Sequence, residues 1–287
     1  MIRLVSIVIG LGFTLVVTIA FATGLFTVIS DGELKPETAE HVFHKEAHGP
    51  EGGFSFEGPV GKFDKQQLQR GYQVYKEVCS ACHSMKFVAF RNLAELGYSE
   101  AQVKAEAATW QVPGIDRDTG EAVMRPGEPT DYFPSPYPNK VAAAAANNNA
   151  IPPDLSLITK ARHHGPQYVY SLLTGYQAQP AELLEQFPDA KTPNGLYYNP
   201  YFPNLNLAMA PPLNSDGQVT YGEGNPEPTV SQMAQDVSAF LTWTAEPRLV
   251  KRKQTGWAVL GFLLFATILA YFAKKQVWAS AKPARRD

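Results

Sequence analysis

Cysteine is scarce in this sequence of 287 residues, which contains two, alongside 23 prolines and 22 glycines. Two cysteines cannot build the dense disulfide framework of a small secreted scaffold. The mean hydropathy is −0.20, which is too low for a polytopic membrane protein. The formal net charge is only −2, and we expect no nucleic-acid partner. The sequence therefore predicts a globular body with one or two membrane segments.

The near-neutral total charge hides a division along the chain. Nine Lys or Arg residues and one acidic residue lie at or after Arg248, a net charge of +8, so residues 1–247 carry −10. An acidic surface attracts basic partners, and this attraction weakens as salt rises. The body is therefore expected to offer an acidic docking face, with ordinary solubility as the alternative role of its charge.

Two long runs contain no charged residue. Gln254–Ala273 has 20 residues, enough to cross a hydrocarbon core of roughly 30 Å as a helix. Leu4–Ile29 predicts a secretory signal cleaved after Ala22 or an uncleaved anchor, and either keeps Arg3 inside while the body is exported. The predicted divisions are a leader or anchor at 1–30, a linker at 31–54, a body at 55–247 and a C-terminal transmembrane anchor with a basic tail at 248–287.

The linker contains three histidines, His41, His44 and His48, at a spacing that would place them on one helical face. A metal site is conceivable there. A solvated linker is the favoured interpretation, because no carboxylate or thiol pattern completes a ligand set.

Both cysteines fall in one motif, Cys79–His83, which reads CSACH. This is the pattern of covalent haem attachment, in which two thiols bond to the porphyrin vinyl groups and the adjacent histidine ligates iron. A thioredoxin-like dithiol is disfavoured because no βαβ pattern surrounds the motif, and structural zinc would need two further ligands. The motif predicts one haem c, bound through Cys79 and Cys82, with His83 as an axial ligand.

The opposite face of the iron also needs a ligand, because an open site favours gas or peroxide chemistry and a closed one favours electron transfer. Among the five methionines, Met85 is too close to His83 in sequence to reach that face, and Met233 lies on a helical apolar stripe. Met209 precedes Pro211-Pro212, a pair that favours an extended strap. We predict Met209 as the second axial ligand.

Helical periodicity and capping signals predict a mainly helical body with long loops. Capping-box pairs are expected where a helix N-cap is followed three residues later by glutamine. The three pairs are Asp64 with Gln67, Ser99 with Gln102, and Thr229 with Gln232. Further short helices are predicted at 154–163 and 166–174, and the first helix is expected to carry its apolar stripe through Cys79. Residues 111–138 are predicted to be an ordered excursion and 176–228 to be rich in loops.

Several further motifs accompany the haem motif in a fixed order. They are MRPG at 124–127, DYFP at 131–134, PPDLS at 152–156, ARH at 161–163, SLLTGY at 171–176, NPYFP at 199–203 and MAPP at 209–212. With these motifs the sequence resembles the cytochrome c1 family over about residues 55–275. The short hydrophobic leader suggests a bacterial member. The resemblance implies a cytochrome c fold enlarged by long loop insertions, with a C-terminal transmembrane helix.

The resemblance also implies roles for individual residues. It assigns Met209 as the axial ligand, in agreement with the elimination above, and it pairs Arg162 with a haem propionate. The remaining residues implied to line the haem pocket are Asn147, Pro153, Ile158, Tyr168, Leu172, Phe202 and Leu207. Many members of the family carry an extra loop disulfide, which this chain cannot form if both thiols hold haem.

A family member of this kind would pass single electrons from the Rieske iron–sulfur subunit to a soluble or membrane-tethered cytochrome c. It would belong, with cytochrome b, to a dimeric quinol:cytochrome c oxidoreductase, respiratory complex III, and would perform no catalysis on its own. The expected location is the bacterial inner membrane, with the haem domain in the periplasm and the C-terminal tail in the cytoplasm. An anchored cytochrome c subunit of a terminal oxidase is the alternative.

Overall fold

The computed structural model describes residues 2–30 and 38–279. The start of the predicted linker, 31–37, and the end of the predicted basic tail, 280–287, lie outside the described residues. The described chain is mainly helical with a few short strands, which confirms the predicted fold class.

The elements follow one another along the chain with long connections. The α-helices of the described residues are α1 (Ile2–Ser30), α2 (Ala39–Phe43), α3 (Lys65–Glu77), α4 (Glu100–Ala108), α5 (Lys140–Ala146), α6 (Gly165–Thr174), α7 (Ala181–Gln186), α8 (Val230–Ala245) and α9 (Leu249–Ala279). Short 3₁₀ helices span Cys79–Ala81, Phe90–Leu96 and Pro188–Ala190. Antiparallel pairs join β1 (Gln111–Ile115) to β2 (Ala122–Pro126) and β3 (Tyr197–Tyr198) to β4 (Asn206–Leu207).

The core of the body forms where α3 crosses α8. At Gly71 a Cβ atom would come within 2.0 Å of the Asp236 carbonyl oxygen, so the two backbones can approach this closely only at a glycine. Tyr75 and Phe240 are fully buried beside the crossing, with ring centroids 5.9 Å apart. This packing fixes the C-terminal end of α3, and the haem motif follows it directly.

A buried carboxylate, that of Asp236, ties the two helices together. It accepts hydrogen bonds from Arg70 at 2.8 and 3.1 Å, from the Gln67 amide at 3.2 Å and from the Gln232 amide at 2.9 Å. The Gln67 side chain is therefore turned into the core, and the predicted capping box at Asp64 is wrong in this half. Asp64 does cap α3, through the backbone N–H of Gln66 at 2.9 Å.

Three other helix predictions are confirmed. Ser99 and Gln102 form both halves of a capping box at α4. At α8 the Thr229 side chain accepts from the Gln232 N–H, but the reciprocal half of the predicted box is wrong, because the Gln232 side chain bonds Asp236 instead. The helix predicted at 166–174 is α6, with Gly175 at its end. The apolar stripe of α8 is buried at Met233, Val237, Phe240 and Leu241.

The helix predicted at 154–163 is wrong, since this segment forms turns. The residues at its start instead form hydrogen bonds with the segment that follows the haem motif. The Leu155 N–H donates to the Ser84 carbonyl at 2.9 Å, and the Asp154 carboxylate accepts from Ser84 and Lys86. The stripe predicted to continue to Cys79 also stops early, because α3 ends at Glu77.

The excursion predicted to be ordered at 111–138 contains regular structure, and the loop-rich segment and the linker are also partly ordered. Residues 111–126 form the β1–β2 hairpin, and α7 lies within 176–228. The linker packs on the body, where the His48 N–H donates to Ser171 Oγ at 2.8 Å and His48 Nε2 lies 3.0 Å from Tyr201 Oη. The described residues contain no group of three potential metal ligands, so the linker histidines are not gathered there into a metal site.

Two helices are long and apolar enough to cross a membrane. One runs from Arg3 to Ser30 within α1 and the other is α9, and neither hydrophobic window is buried against the body. Their positions agree with the predicted leader or anchor and with the predicted C-terminal anchor.

Candidate haem site

The haem motif forms a tight turn at the end of α3. The Cys82 and His83 N–H groups both donate to the Cys79 carbonyl, at 3.1 and 2.9 Å. The turn is packed from one side by Tyr75, whose hydroxyl donates to the His83 carbonyl at 3.3 Å. Tyr137 approaches from the other, with its hydroxyl 3.9 Å from Cys82 Sγ. Both thiols are free and half-buried, so either could form a thioether.

The chemistry of the thiols argues against a redox dithiol. Burial, followed by the proximity of Cys82, raises the pKa of the Cys79 thiol to about 12. A reactive dithiol needs a lowered thiol pKa, because the thiolate is the nucleophile. A zinc site lacks its further ligands, since no group of three metal-binding side chains occurs in residues 2–30 and 38–279.

The His83 ring is oriented as an iron ligand requires. Its Nδ1 atom lies 2.8 Å from the Pro153 carbonyl oxygen, which can only accept, so Nδ1 carries the proton and Nε2 keeps its lone pair. Burial lowers the pKa of the imidazole, although Pro153 and Asp154 act in the opposite direction. A neutral ring with its second nitrogen held by a carbonyl is the arrangement found at histidine metal ligands. The residues present therefore fit a haem.

Asp154 holds this side of the site together. Its carboxylate accepts from Ser84 Oγ at 2.7 Å, from the Lys86 N–H at 3.1 Å and from the Ser156 N–H at 3.0 Å. Burial acts to raise the Asp154 pKa, but these hydrogen bonds outweigh burial and lower it. The carboxylate thus joins the loop after His83 to the segment that provides the Pro153 carbonyl. Asp154 lies within the PPDLS motif, but it is not among the site residues predicted from the sequence.

Met209 lies in a strap that begins after β4. The short β3–β4 pair places Leu207 opposite Tyr197, and the strap continues into Pro211-Pro212. The Tyr176 hydroxyl, just beyond the end of α6, donates to the Met209 carbonyl at 3.0 Å. Met209 itself is half-buried. Tyr176 closes the SLLTGY motif, but like Asp154 it is not among the site residues predicted from the sequence.

Arg162 and Tyr168 lie on the same side as the strap. Arg162 is exposed and donates to the Ala161 carbonyl at 3.0 Å. Burial raises the pKa of Tyr168, and the Arg162 guanidinium beside its hydroxyl acts against this rise. Burial and then the neighbouring Tyr168 raise the pKa of Tyr176. The structure thus brings Arg162, Tyr168 and Tyr176 together, and Tyr176 bonds Met209.

Hydrogen bonds connect only some of the remaining residues that were predicted to line the haem pocket. The Asn199 side chain donates to the Leu172 carbonyl at 2.8 Å, and the Phe202 N–H donates to the Asn199 carbonyl at 3.1 Å, so Leu172 and Phe202 are linked through Asn199. Ile158 and Leu207 are buried, which ordinary core packing also explains. The Asn147 side chain donates to the Ala143 carbonyl at the end of α5, at 2.7 Å.

Comparison with known proteins finds relatives over most of the chain. The sequence model of the cytochrome C1 family matches residues 54–281. "Cytochrome b/c1" of Bradyrhizobium diazoefficiens is 49% identical over 247 residues, which is 81% of this chain and 36% of the relative, so the chain spans about a third of that protein. "Cytochrome c1" of Rhodospirillum rubrum is 47% identical over 238 residues, 80% of this chain and 87% of the relative. "Cytochrome c1, heme protein, mitochondrial" of Kluyveromyces lactis is 45% identical over 244 residues, 85% of this chain and 80% of the relative.

Proposed function

The chain belongs to the cytochrome c1 family, and from this premise we propose that it relays single electrons from the Rieske subunit to a cytochrome c. It is a membrane-anchored haem subunit of a cytochrome bc1 complex, with one haem c bound through Cys79 and Cys82. Family membership favours this complex over a terminal oxidase. The haem supplies one-electron iron chemistry, while binding, orientation and exclusion of water come from the residues of this chain.

One observation carries the proposal, the hydrogen bond between His83 Nδ1 and the Pro153 carbonyl. It leaves Nε2 unprotonated and directed as a ligand. Met209 would be the second residue to hold the iron, and the Tyr176 hydroxyl holds its backbone carbonyl. Ligation by His83 and Met209 would leave no position for gas or peroxide and would raise the potential of the haem. Arg162 is proposed to pair with a propionate, as a guanidinium faces a carboxylate.

The partners and topology follow from charge and membrane segments. A net charge of −10 on residues 1–247 suits a basic cytochrome c as electron acceptor, with electrostatic steering of the encounter. Cytochrome b and the Rieske protein are the proposed subunit partners, within a dimeric complex. We place the haem domain in the periplasm of a bacterium and the tail after α9 in the cytoplasm.

Three measurements on the purified complex test the proposal. A pyridine haemochrome spectrum should show covalent haem c in this chain, and the absence of that signal would eliminate every electron-transfer role. After quinol is added, reduction of this haem should depend on the Rieske subunit. Its reoxidation by a basic cytochrome c should slow about tenfold or more as salt rises. A rate that does not change with salt would reject the acidic docking face while leaving the haem assignment intact.

A further inference from the structure

A cavity lies at the joint between the body and the membrane anchor. Its volume is about 300 Å³, roughly ten times the 30 Å³ that one water occupies in the liquid. The residues that line it include Phe56, Glu57, Lys160, Gln167, Glu246 and Leu249. Apolar and charged side chains therefore meet in one space that is large enough for a small organic group.

The cavity lies at the outer edge of the lipid headgroup layer. Leu249 is the first residue of α9, and the uncharged run begins five residues later at Gln254. At 1.5 Å per residue this places Leu249 about 7.5 Å above the start of that run, and the headgroup layer is about 5–7 Å thick on each side. Further along α9, the Trp257 indole N–H donates to the Pro59 carbonyl at 3.4 Å, which ties the body loop to the membrane helix.

The charges around the cavity are unequal. The Glu246 carboxylate pairs with Lys160 at 3.8 Å and with Arg252, so one negative charge faces two positive ones. Lys253 adds a third cation, and its ammonium donates to the carbonyls of Phe56 and Gly58, at 2.6 Å each, so that one of its three donors is left for a ligand. The Glu246 pKa is lowered, chiefly by the hydrogen bond from Arg252, so the carboxylate stays ionised at neutral pH. The cluster of Lys160, Glu246 and Arg252 keeps one positive charge, which suits a singly charged phosphate diester.

Glu57 supplies a negative group on the lining of the same cavity. Its carboxylate accepts from the Phe54 N–H at 3.2 Å and from the Gln167 amide, both of which are uncharged donors. Glu57 therefore has a full negative charge available for a cation. A ligand that carries both a phosphate and an ammonium group would satisfy both charged features at once.

We propose that this cavity binds the headgroup of one membrane phospholipid of the phosphoethanolamine type. The phosphate lies beside Lys160 and Arg252, the ammonium lies beside Glu57, and the acyl chains run from Leu249 down the apolar surface of α9. The bound lipid fills the joint between the body and the anchor. This assignment does not depend on the haem chemistry proposed above.

The test uses the complete complex purified in detergent, with tightly bound phospholipid counted by mass spectrometry per haem c. The double variant Lys160→Gln/Arg252→Gln should lose one phosphatidylethanolamine per haem. Lys251→Gln is the matched control, because it removes the adjacent cation of α9, whereas Arg252 is the one that pairs with Glu246 on the cavity wall, and it should lose none. Lys160 and Arg252 are 55% and 62% exposed, so both variants should fold, and an unchanged haem spectrum verifies this.

A second experiment identifies the headgroup by measuring how tightly different lipids rebind to the delipidated complex. Spin-labelled phosphatidylethanolamine should rebind at least tenfold more tightly than phosphatidylglycerol to the native chain, and Glu57→Gln should abolish this preference. The proposal is overturned if the double variant retains its lipid or if Lys251→Gln loses the same amount. It is equally overturned if phosphatidylglycerol is preferred, or if glycerophosphate without acyl chains displaces the lipid at similar concentration.

Discussion

His83 and Met209 lie in segments that the fold holds very differently. Three hydrogen bonds act on His83: its N–H to Cys79, its carbonyl from Tyr75 and its Nδ1 to Pro153. Among the described residues, one hydrogen bond reaches Met209, from the Tyr176 hydroxyl to its carbonyl. The histidine side is therefore formed by the packed core itself, whereas the methionine side depends on a strap whose position can be adjusted.

Because of this difference, substitutions on the two sides should affect different properties of the site. The neutral tautomer of His83 is set by a backbone carbonyl, which mutation of nearby side chains does not remove. The position of Met209 is set by a short strand pair, two prolines and one tyrosine. We therefore expect the haem potential to respond mainly to changes on the methionine side, and stability of the loop to respond mainly to changes on the histidine side.

The largest effect is expected from Met209→Leu. Leucine fills the same space without a sulfur donor, so the iron should lose a ligand while the thioethers and His83 remain. The potential should fall by on the order of hundreds of millivolts, within the roughly 0.8 V that axial ligands span, and carbon monoxide should bind the ferrous form. Redox titration and optical spectra measure both. Met233→Leu, in the core, is the control and should change neither. An unchanged potential without carbon monoxide binding would eliminate Met209 as the ligand.

A smaller effect is expected from Asp154→Ala, on the histidine side. Removal of the carboxylate leaves the Lys86 and Ser156 N–H groups without their acceptor, at a cost of about 2 kcal/mol. Hydrogen exchange of these two amides should accelerate roughly 30-fold, since 1.4 kcal/mol corresponds to a factor of ten. Asp118→Ala, at the exposed tip of the β1–β2 hairpin, should leave them unchanged. Equal protection in both variants would show that the loop is held without Asp154.

The smallest effect is expected from Tyr176→Phe, which removes one hydrogen bond from the strap. A neutral hydrogen bond contributes about 1 kcal/mol, so Met209 should be displaced more easily and imidazole should bind the ferric haem about fivefold more tightly. Spectral titration measures this affinity. Tyr197→Phe removes a nearby hydroxyl that does not reach Met209 and serves as the control. A similar gain in both variants would mean that Tyr176 does not position the strap.

Prediction from sequence succeeded where a feature depends on residues close together along the chain, and it failed where the partner is distant in sequence. The haem motif, the α4 and α8 caps and the helix at 166–174 depend on groups within a few residues of one another. The capping box at Asp64 failed because Gln67 reaches Asp236, 169 residues away. The helix at 154–163 failed because Asp154 bonds Ser84, 70 residues away. Asp154 and Tyr176 were missed for the same reason, since each acts through a partner that is distant in sequence.

Residue types at fixed short spacings were enough to predict the haem attachment and the family, and uninterrupted apolar length was enough to predict two helices that are long enough to cross a membrane. The tertiary structure alone decided which nitrogen of His83 is free, what holds Met209 in place and where charged side chains gather at the base of the body. Each of these depends on a hydrogen bond or ion pair between segments separated by tens of residues. Such contacts are set by how the helices pack and not by the pattern of any one segment.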